Sequence, residues 1–518
     1  MRSMKHLRWY IAGLLCLATI INYLDRQTLS ITTPIVGNVI KLGLSERDAA
    51  AAKAQAQKAL ARAEGYAGES AADIRAIVDE EYRHQLTLLK TASVPGDQEL
   101  AQMPERERTR YEIVKKALDD RVKALIAIVM MAFEIGYILG PTPLGLLLDR
   151  LGTRRGYPIT MAFWSAAGII TIFALQIGGF LGALFHVTVI PVVIGFGFCR
   201  FILGVGEAGN WPAAIKTIGE WFPTRERSLA VGIFNSGSSA GAFAAPFFIK
   251  AMIDADRRIW QPPYIVAGLI GYLWIVAWLY FYHPPEKHPR LRKEEYDYIT
   301  SDRPVADPAR EQLRLPWYEG LKYRQVRGVL LSRFCAENLW KFSMYWLPLY
   351  LTQARGVKIN DMFIFVALAA LSSELGNLLG GWLSSHFIKI GWTINKARKG
   401  VMAPCGVIMI SALLVPHVPI AWAMAVMCLI TFCYQAWSVN MQTIPVDVVP
   451  GRALGATAGM AHITAGLAGV VTNMVAGLLD YDTAFIFLAC AAALAVTFLF
   501  VAIGRIDPKG SGEEALRH

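Results

Sequence analysis

A series of long apolar blocks constrains this chain more than any other feature. They include residues 9–24, 122–148 and 484–504. Runs of about 18 or more such residues are long enough to cross the hydrocarbon core of a bilayer as a helix. Of the 518 residues, 54% are hydrophobic and only 18% charged, against about a quarter charged in a soluble domain. The chain is therefore expected to fold in a solvent other than water. The seven cysteines (16, 199, 335, 405, 428, 433 and 490) all lie inside apolar blocks. Their spacing suggests neither a metal site nor a disulfide framework. The first block runs into Asp25 and Arg26 without a small-residue cleavage site, so it is expected to be a retained helix and not a signal peptide.

Twelve apolar segments can be counted: 9–41, 122–147, 157–179, 184–214, 227–252 and 262–283, then 326–352, 362–387, 400–416, 419–445, 453–478 and 483–504. A polar stretch, 284–325, separates six from six. That is the layout of a carrier built from two six-helix halves. The expected division is a first half at 1–283, a cytoplasmic linker at 284–325, a second half at 326–504 and a cytoplasmic tail at 505–518. Lysine and arginine concentrate at Arg2, Lys5 and Arg8, at Arg150, Arg154 and Arg155, at Arg225 and Arg227, at Lys287, Arg290, Arg292 and Lys293, and at Lys389, Lys396, Arg398 and Lys399. Short loops rich in these residues stay in the cytoplasm, so both termini are placed inside. The same bias accounts for the net charge of +11 without a nucleic-acid partner, because basic cytoplasmic loops lie beside anionic lipid.

Residues 43–121 break the pattern. This polar insert is rich in Ala, Gln, Lys, Glu and Leu, all strong helix formers. Two or three soluble helices on the external face are expected, either as a plain solvated cap or as a lid or docking surface.

The string Gly145-x-x-x-Asp149-Arg150-x-Gly152-Thr153-Arg154-Arg155 follows the second apolar segment. Its glycines permit a tight turn and close helix approach. Asp149 can pair with cationic side chains across the domain interface and latch one conformation; otherwise the string is an ordinary basic loop. A second constellation interrupts the first half: Asn22-Tyr23-Leu24-Asp25-Arg26, and Arg200-x-x-x-Gly204-x-Gly206-Glu207. Charges at membrane depth are costly and face a cavity or a partner. Arg200 and Glu207 are seven residues apart and share a helix face. Asp25, Arg26, Arg200 and Glu207 can thus reach one interior site, where an arginine fork holds a carboxylate and a carboxylate in a low-dielectric setting carries a proton. The alternative is a structural ion-pair network; both readings can hold together.

The loop string resembles the signature of the major facilitator superfamily. Further strings resemble its anion:cation symporter family: Leu7-Arg8-Trp9-Tyr10, Asn22-Tyr23-x-Asp25-Arg26, Gly204-x-Gly206-Glu207-Ala208, Glu220-Trp221-Phe222-Pro223-x-x-Glu226-Arg227 and Phe234-Asn235-x-Gly237-Ser238-Ser239. Within that family the chain is most similar to bacterial hexuronate and sugar-acid permeases; animal vesicular glutamate carriers and sialin belong to the same wider group. The resemblance covers nearly everything except 43–121 and is densest in the first half. It implies that Arg26 holds the substrate carboxylate, with Tyr23 facing the substrate and Arg200 two turns before the helix-four acid. It also implies that Asp25 and Glu207 couple protons. Some hexuronate permeases lack an aspartate beside this arginine; its presence here leans towards a galactonate-like scheme.

The second half offers thinner candidates. Arg333 and Glu337 lie at i, i+4 on helix seven, either contacting substrate or satisfying each other. Glu374 on helix eight resembles an acidic gate position. Helix ten carries Tyr434-Gln435-Ala436-Trp437-Ser438-Val439-Asn440, in which Trp437 and Asn440 either line the cavity or act as helix glue. His462 stands where many relatives place an asparagine, and is read as a substrate contact or a structural histidine. Gly237-x-x-x-Gly241, Gly376-x-x-x-Gly380 and Gly466-x-x-Gly469 read as tight helix crossings.

The expected fold is an all-α membrane protein of twelve transmembrane helices in two halves, with the helical insert between helices one and two. The expected function is proton-coupled uptake of a hexuronate or related sugar acid by alternating access, in a bacterial inner membrane, by a monomer without cofactor or metal. Asp149, Arg150, Arg154, Glu337 and Glu374 are assigned to gating. The alternatives are another organic anion (tartrate, glucarate, phthalate or phosphate), sodium coupling, or a non-transporting membrane sensor. No nucleophile–base set or nucleotide loop supports an enzyme.

Overall fold

The computed structural model describes residues 6–91, 95, 97–186, 191–253, 259–301, 319–448 and 451–506. Arg2, Lys5, residues 302–318 of the linker, the side chains of Arg225 and Arg227, and the tail beyond 506 lie outside the described residues.

The described chain is built of helices. In lipid no water can satisfy a backbone N–H or C=O, so an apolar block must bond to itself. Helix α1 spans Leu7–Leu42, and α5, Glu105–Leu139, follows the insert. Next come α6 (Pro141–Ile170), α7 (Ala174–Leu184), α8 (Pro191–Glu207), α9 (Asn210–Trp221), α10 (Thr224–Lys250), α11 (Pro262–Phe281) and the short α12 (Lys293–Thr300). The later region holds α13 (Arg324–Tyr345), α14 (Leu347–Gln353), α15 (Ile359–Lys389), α16 (Ile394–Met409), α17 (Ile420–Val448), α18 (Gly451–Leu478) and α19 (Tyr481–Val501). Among the described residues, ten helical stretches are long and apolar enough to cross a membrane. The expected segments 227–252 and 326–352 are helical too but are not among the ten. The first carries Asn235, Ser236, Ser238 and Ser239; the second carries Arg327, Arg333, Glu337 and Lys341.

No long loop separates the second and third apolar segments. Helix continues on both sides of Gly152, where the chain turns at φ 69° and ψ 169°. That left-handed φ is open to glycine and strained for other residues. The glycine strings sit at close crossings. Gly237 and Gly241 meet the α1 backbone, Gly376 and Gly380 meet α17, and Gly466 and Gly469 meet α5. Of the three, only the last crossing joins the regions before and after the linker.

The insert folds as α2 (Glu46–Leu60), α3 (Ala71–Thr91) and α4 (Asp97–Gln102). The Ser45 hydroxyl accepts from the Asp48 N–H at 3.2 Å and caps α2. With the start of α5, α2 and α3 enclose a small apolar core that includes Leu60, Val78, Tyr82 and Leu118. Ion pairs Asp48–Arg121 and Lys41–Asp119 tie it to α5 and α1.

Two larger cores differ in reach. One draws on α1 from Leu24 to Ile40, on Val122 to Met130 of α5, on parts of α7, α8, α10 and α11, and on α13 to α19. The other joins Leu7–Ile21 of α1 to α6, α9, α10 and α11, and contains no residue beyond Ile299. Contacts between the regions before and after the linker therefore gather at the end that bears the insert. There α5 runs along α18, and α10 along α15.

Candidate functional site

Arg26 lies near the middle of α1, 7% exposed. Its Nε and Nη2 donate to a single oxygen of Glu207, Oε2, at 3.0 and 2.9 Å. One turn earlier, Asn22 Oδ1 lies 3.5 Å from the same Nη2. The guanidinium stands over three rings: Tyr137 at 4.7 Å, Tyr23 at 5.1 Å and Phe133 at 5.4 Å. Aromatic faces attract a cation and are cheaper neighbours for it than bare hydrocarbon. Glu207 is the last residue of α8 and is 1% exposed.

Asp25 adjoins Arg26 in sequence but points about 100° away around the helix, towards α6. A Cβ added at Gly168 would sit 3.5 Å from Asp25 Oδ1, so the glycine makes room for the carboxylate. Arg200 lies within Coulombic range of Asp25 and Glu207. Neither its Nε nor its Nη2 has a hydrogen-bond partner, and the same is true of Asp25 Oδ2 and Glu207 Oε1. Most buried polar atoms are hydrogen-bonded. Four unpartnered atoms on three buried charged side chains therefore set this cluster apart as the candidate site. The four residues expected to converge do so, with only Arg26 and Glu207 in direct contact.

His462 reaches the same wall from α18. Its ring lies tilted against Tyr137 at 4.4 Å, and its Nε2 lies 3.4 Å from the Tyr137 carbonyl oxygen. In the second half, Glu337 Oε2 accepts from the Tyr434 hydroxyl at 2.8 Å and lies 3.6 Å from Arg333 Nε. Trp340 stacks on Tyr434 at 5.6 Å. A cavity of about 10 Å³ opens between Arg333, Glu337, Trp437 and Gln442, room for about one water. Trp437 packs its ring on Gly406. Asn440 is placed as helix glue. Its Nδ2 donates to the carbonyls of Gly380 and Ala436 at 3.1 and 2.9 Å, and its Oδ1 accepts from Arg398 at 3.2 Å. Glu374 keeps one buried oxygen without a partner.

The expected latch takes a different form. Asp149 accepts from Lys216 Nζ of α9 at 2.9 Å, within its own half and at an exposed position, where the sequence suggested a partner across the interface. Arg150 is exposed. Arg154 lies in Coulombic range of His283 and His288 beyond α11. Burial first, then neighbouring cations including Arg154 and Arg290, hold both imidazoles below their ordinary pKa.

One pair escaped the sequence reading. Lys341 Nζ of α13 donates to Glu134 Oε1 of α5 at 2.7 Å, with Glu134 0% and Lys341 5% exposed. The available signal was an ionisable residue at membrane depth in each of two segments.

The family model described as the Major Facilitator Superfamily matches residues 122–472. The hexuronate transporter of Escherichia coli K12 is 30% identical over 357 residues, 68% of this chain and 78% of that protein. The D-galactonate transporter of Escherichia coli O6:H1 is 28% identical over 403 residues, 75% of this chain and 89% of that protein. Among solved structures, a D-xylose–proton symporter superposes with a TM-score of 0.62 at 13% identity, covering 96% of this chain and 98% of that one. The chain belongs to the Major Facilitator Superfamily.

Proposed function

From this membership of the Major Facilitator Superfamily we propose that the protein is a secondary transporter, taking up a hexuronate or a related sugar acid such as galactonate together with a proton. The observation that carries the reading is the Arg26 fork, held by one oxygen of Glu207 among the unpartnered atoms of Asp25, Arg200 and Glu207. A substrate carboxylate offers the fork two oxygens, a better match than the single oxygen it now has. Glu207, displaced, is left in a dry site beside Asp25, where a proton replaces the lost cation. Anion and proton together leave the site neutral, as the Arg26–Glu207 pair does when the site is empty. The faces of Tyr23 and Tyr137 beside the fork suit the apolar side of a sugar ring. The names of the hexuronate and D-galactonate relatives support the same substrate class.

In this reading α10, and α13 with α14, complete twelve spans. The halves are 1–283 and 326–504, and 43–121 stands outside the membrane. The basic loops put both termini in the cytoplasm of a bacterial inner membrane. The core shared by both halves lies at the insert end, and the first half keeps a separate core at the other. This supports a carrier shut towards the outside and opening inward, one stage of alternating access.

The test is uptake into proteoliposomes with an acid-outside pH gradient, using glucuronate, galacturonate and galactonate. Accumulation of at least one, abolished when the gradient is collapsed, is expected. Exchange that is indifferent to the gradient removes the proton; no movement of any of the three removes the substrate class.

A further inference from the structure

Among the described residues, the Glu134–Lys341 pair is the buried ion pair that joins the two halves directly, its members 207 residues apart. It sits within a ladder of contacts down the α5–α18 seam. Lys123 Nζ donates to the Leu479 carbonyl. Below it Gly477 lies against Ala127, Gly469 against the Glu134 carboxylate and Gly466 against Ile138. The pair also shares an aromatic wall with the anion site. Arg26 stands over Phe133, the residue before Glu134, at 5.4 Å; Phe133 meets Tyr345 edge-on at 6.5 Å; Lys341 Nζ lies 5.4 Å from the Tyr345 ring.

Opening at the insert end draws α5 away from α13 and α18 and splits this pair. A buried charge that loses its counter-ion is strongly destabilising, so a split pair needs replacements. We infer that Lys341 is an anion-binding residue of the second half, masked by Glu134 while the insert end is shut and passed to the incoming sugar acid when it opens. The inference rests on the reading under Proposed function. It gives the substrate a cation on each wall: Arg26 from the first half and Lys341 from the second. An anion held by both draws the halves together, so the same contact serves recognition and closure. Glu134 then competes with the substrate for Lys341, as Glu207 does for Arg26.

A purely structural tie and an anion-binding lysine separate in two double variants. Glu134→Gln with Lys341→Gln removes both charges and leaves no uncompensated ion. Glu134→Lys with Lys341→Glu keeps the tie but moves the cation to the first half. Initial uptake of radiolabelled galacturonate, glucuronate and galactonate is measured from the insert side, beside the melting temperature of each protein. The neutral pair is expected to raise KM about tenfold or more, the effect of one charge-assisted hydrogen bond. The swapped pair is expected to recover the melting temperature and leave KM raised. An unchanged KM in the neutral pair, or recovery of KM by the swap, overturns the inference and leaves the functional reading intact. If the swap does not assemble, the neutral pair decides alone. Wild-type protein that takes up none of the three acids overturns the functional reading, and this inference with it.

Discussion

Arg26 and Asn440 both sit inside the bundle, and they are treated in opposite ways. Asn440 has both ends of its amide engaged, by Gly380, Ala436 and Arg398. Around Arg26, Glu207, Asp25 and Arg200 keep buried atoms without partners. A polar group that locks helices together is satisfied by those helices; a group that handles a guest is left incomplete, because completing it would exclude the guest. Completeness of hydrogen bonding, more than burial or charge, sets the two clusters apart.

The sharpest way to break that comparison is Arg26→Ala. It removes the carboxylate fork and strands Glu207, a change on the order of 3–5 kcal/mol for a buried pair. Uptake and ligand-induced stabilisation in a thermal-shift panel of sugar acids should both vanish; retained binding would move the anion site elsewhere. Glu207→Gln comes next. It keeps size and a hydrogen-bond acceptor but carries no proton, so substrate exchange should persist while accumulation against a gradient is lost. Normal accumulation in this variant would exclude Glu207 from coupling. Asn440→Ala should act in the other currency: a stability loss of about 1–3 kcal/mol from the unpaired carbonyls, with KM little changed. A raised KM at unchanged melting temperature would place Asn440 on the substrate and blur the distinction.

The smallest effect is expected in the insert. Burial pushes the Asp48 carboxyl up, but the Ser45 hydroxyl and the Arg121 guanidinium outweigh it and hold its pKa below the ordinary value. A depressed carboxylate stabilises the fold above its unfolded pKa and loses that contribution as pH falls through the folded one. Asp48→Asn should therefore lower stability near neutrality, by less than about 1 kcal/mol for a partly exposed pair. The difference should fade below about pH 4. A difference that persists in acid, followed by thermal melts across pH, would mean that packing and not charge sets the effect.

Much of this was legible in the sequence. The apolar blocks locate the helices because lipid leaves the backbone no alternative, and the close crossings follow glycine spacing. Arg26 and Glu207 announce themselves as charges in runs that exclude charge. Glu134 and Lys341 obeyed the same rule and were passed over, since neither stands in a motif and 207 residues separate them. Only tertiary contact makes them a pair. Asn440 shows the converse: polar residues on a helix face look alike in sequence, and whether carbonyls or a cavity meet them depends on the neighbouring helix. The Asp149 partner was illegible for another reason. Its lysine, Lys216, lies 67 residues on, and only the packing of α9 against α6 within the same half brings the two together.

Helix α5 runs 35 residues without interruption from the apolar core of the insert, at Val114 to Leu118, to Glu134 and Tyr137 beside the proposed anion site. From Leu118 to Glu134 is about 24 Å at 1.5 Å per residue. Such a rod has no joint in which to absorb a tilt. A binding protein or antibody fragment clamped on the insert would hold a handle attached to the wall of the site, and could brake or bias the transport cycle without touching the path of the substrate.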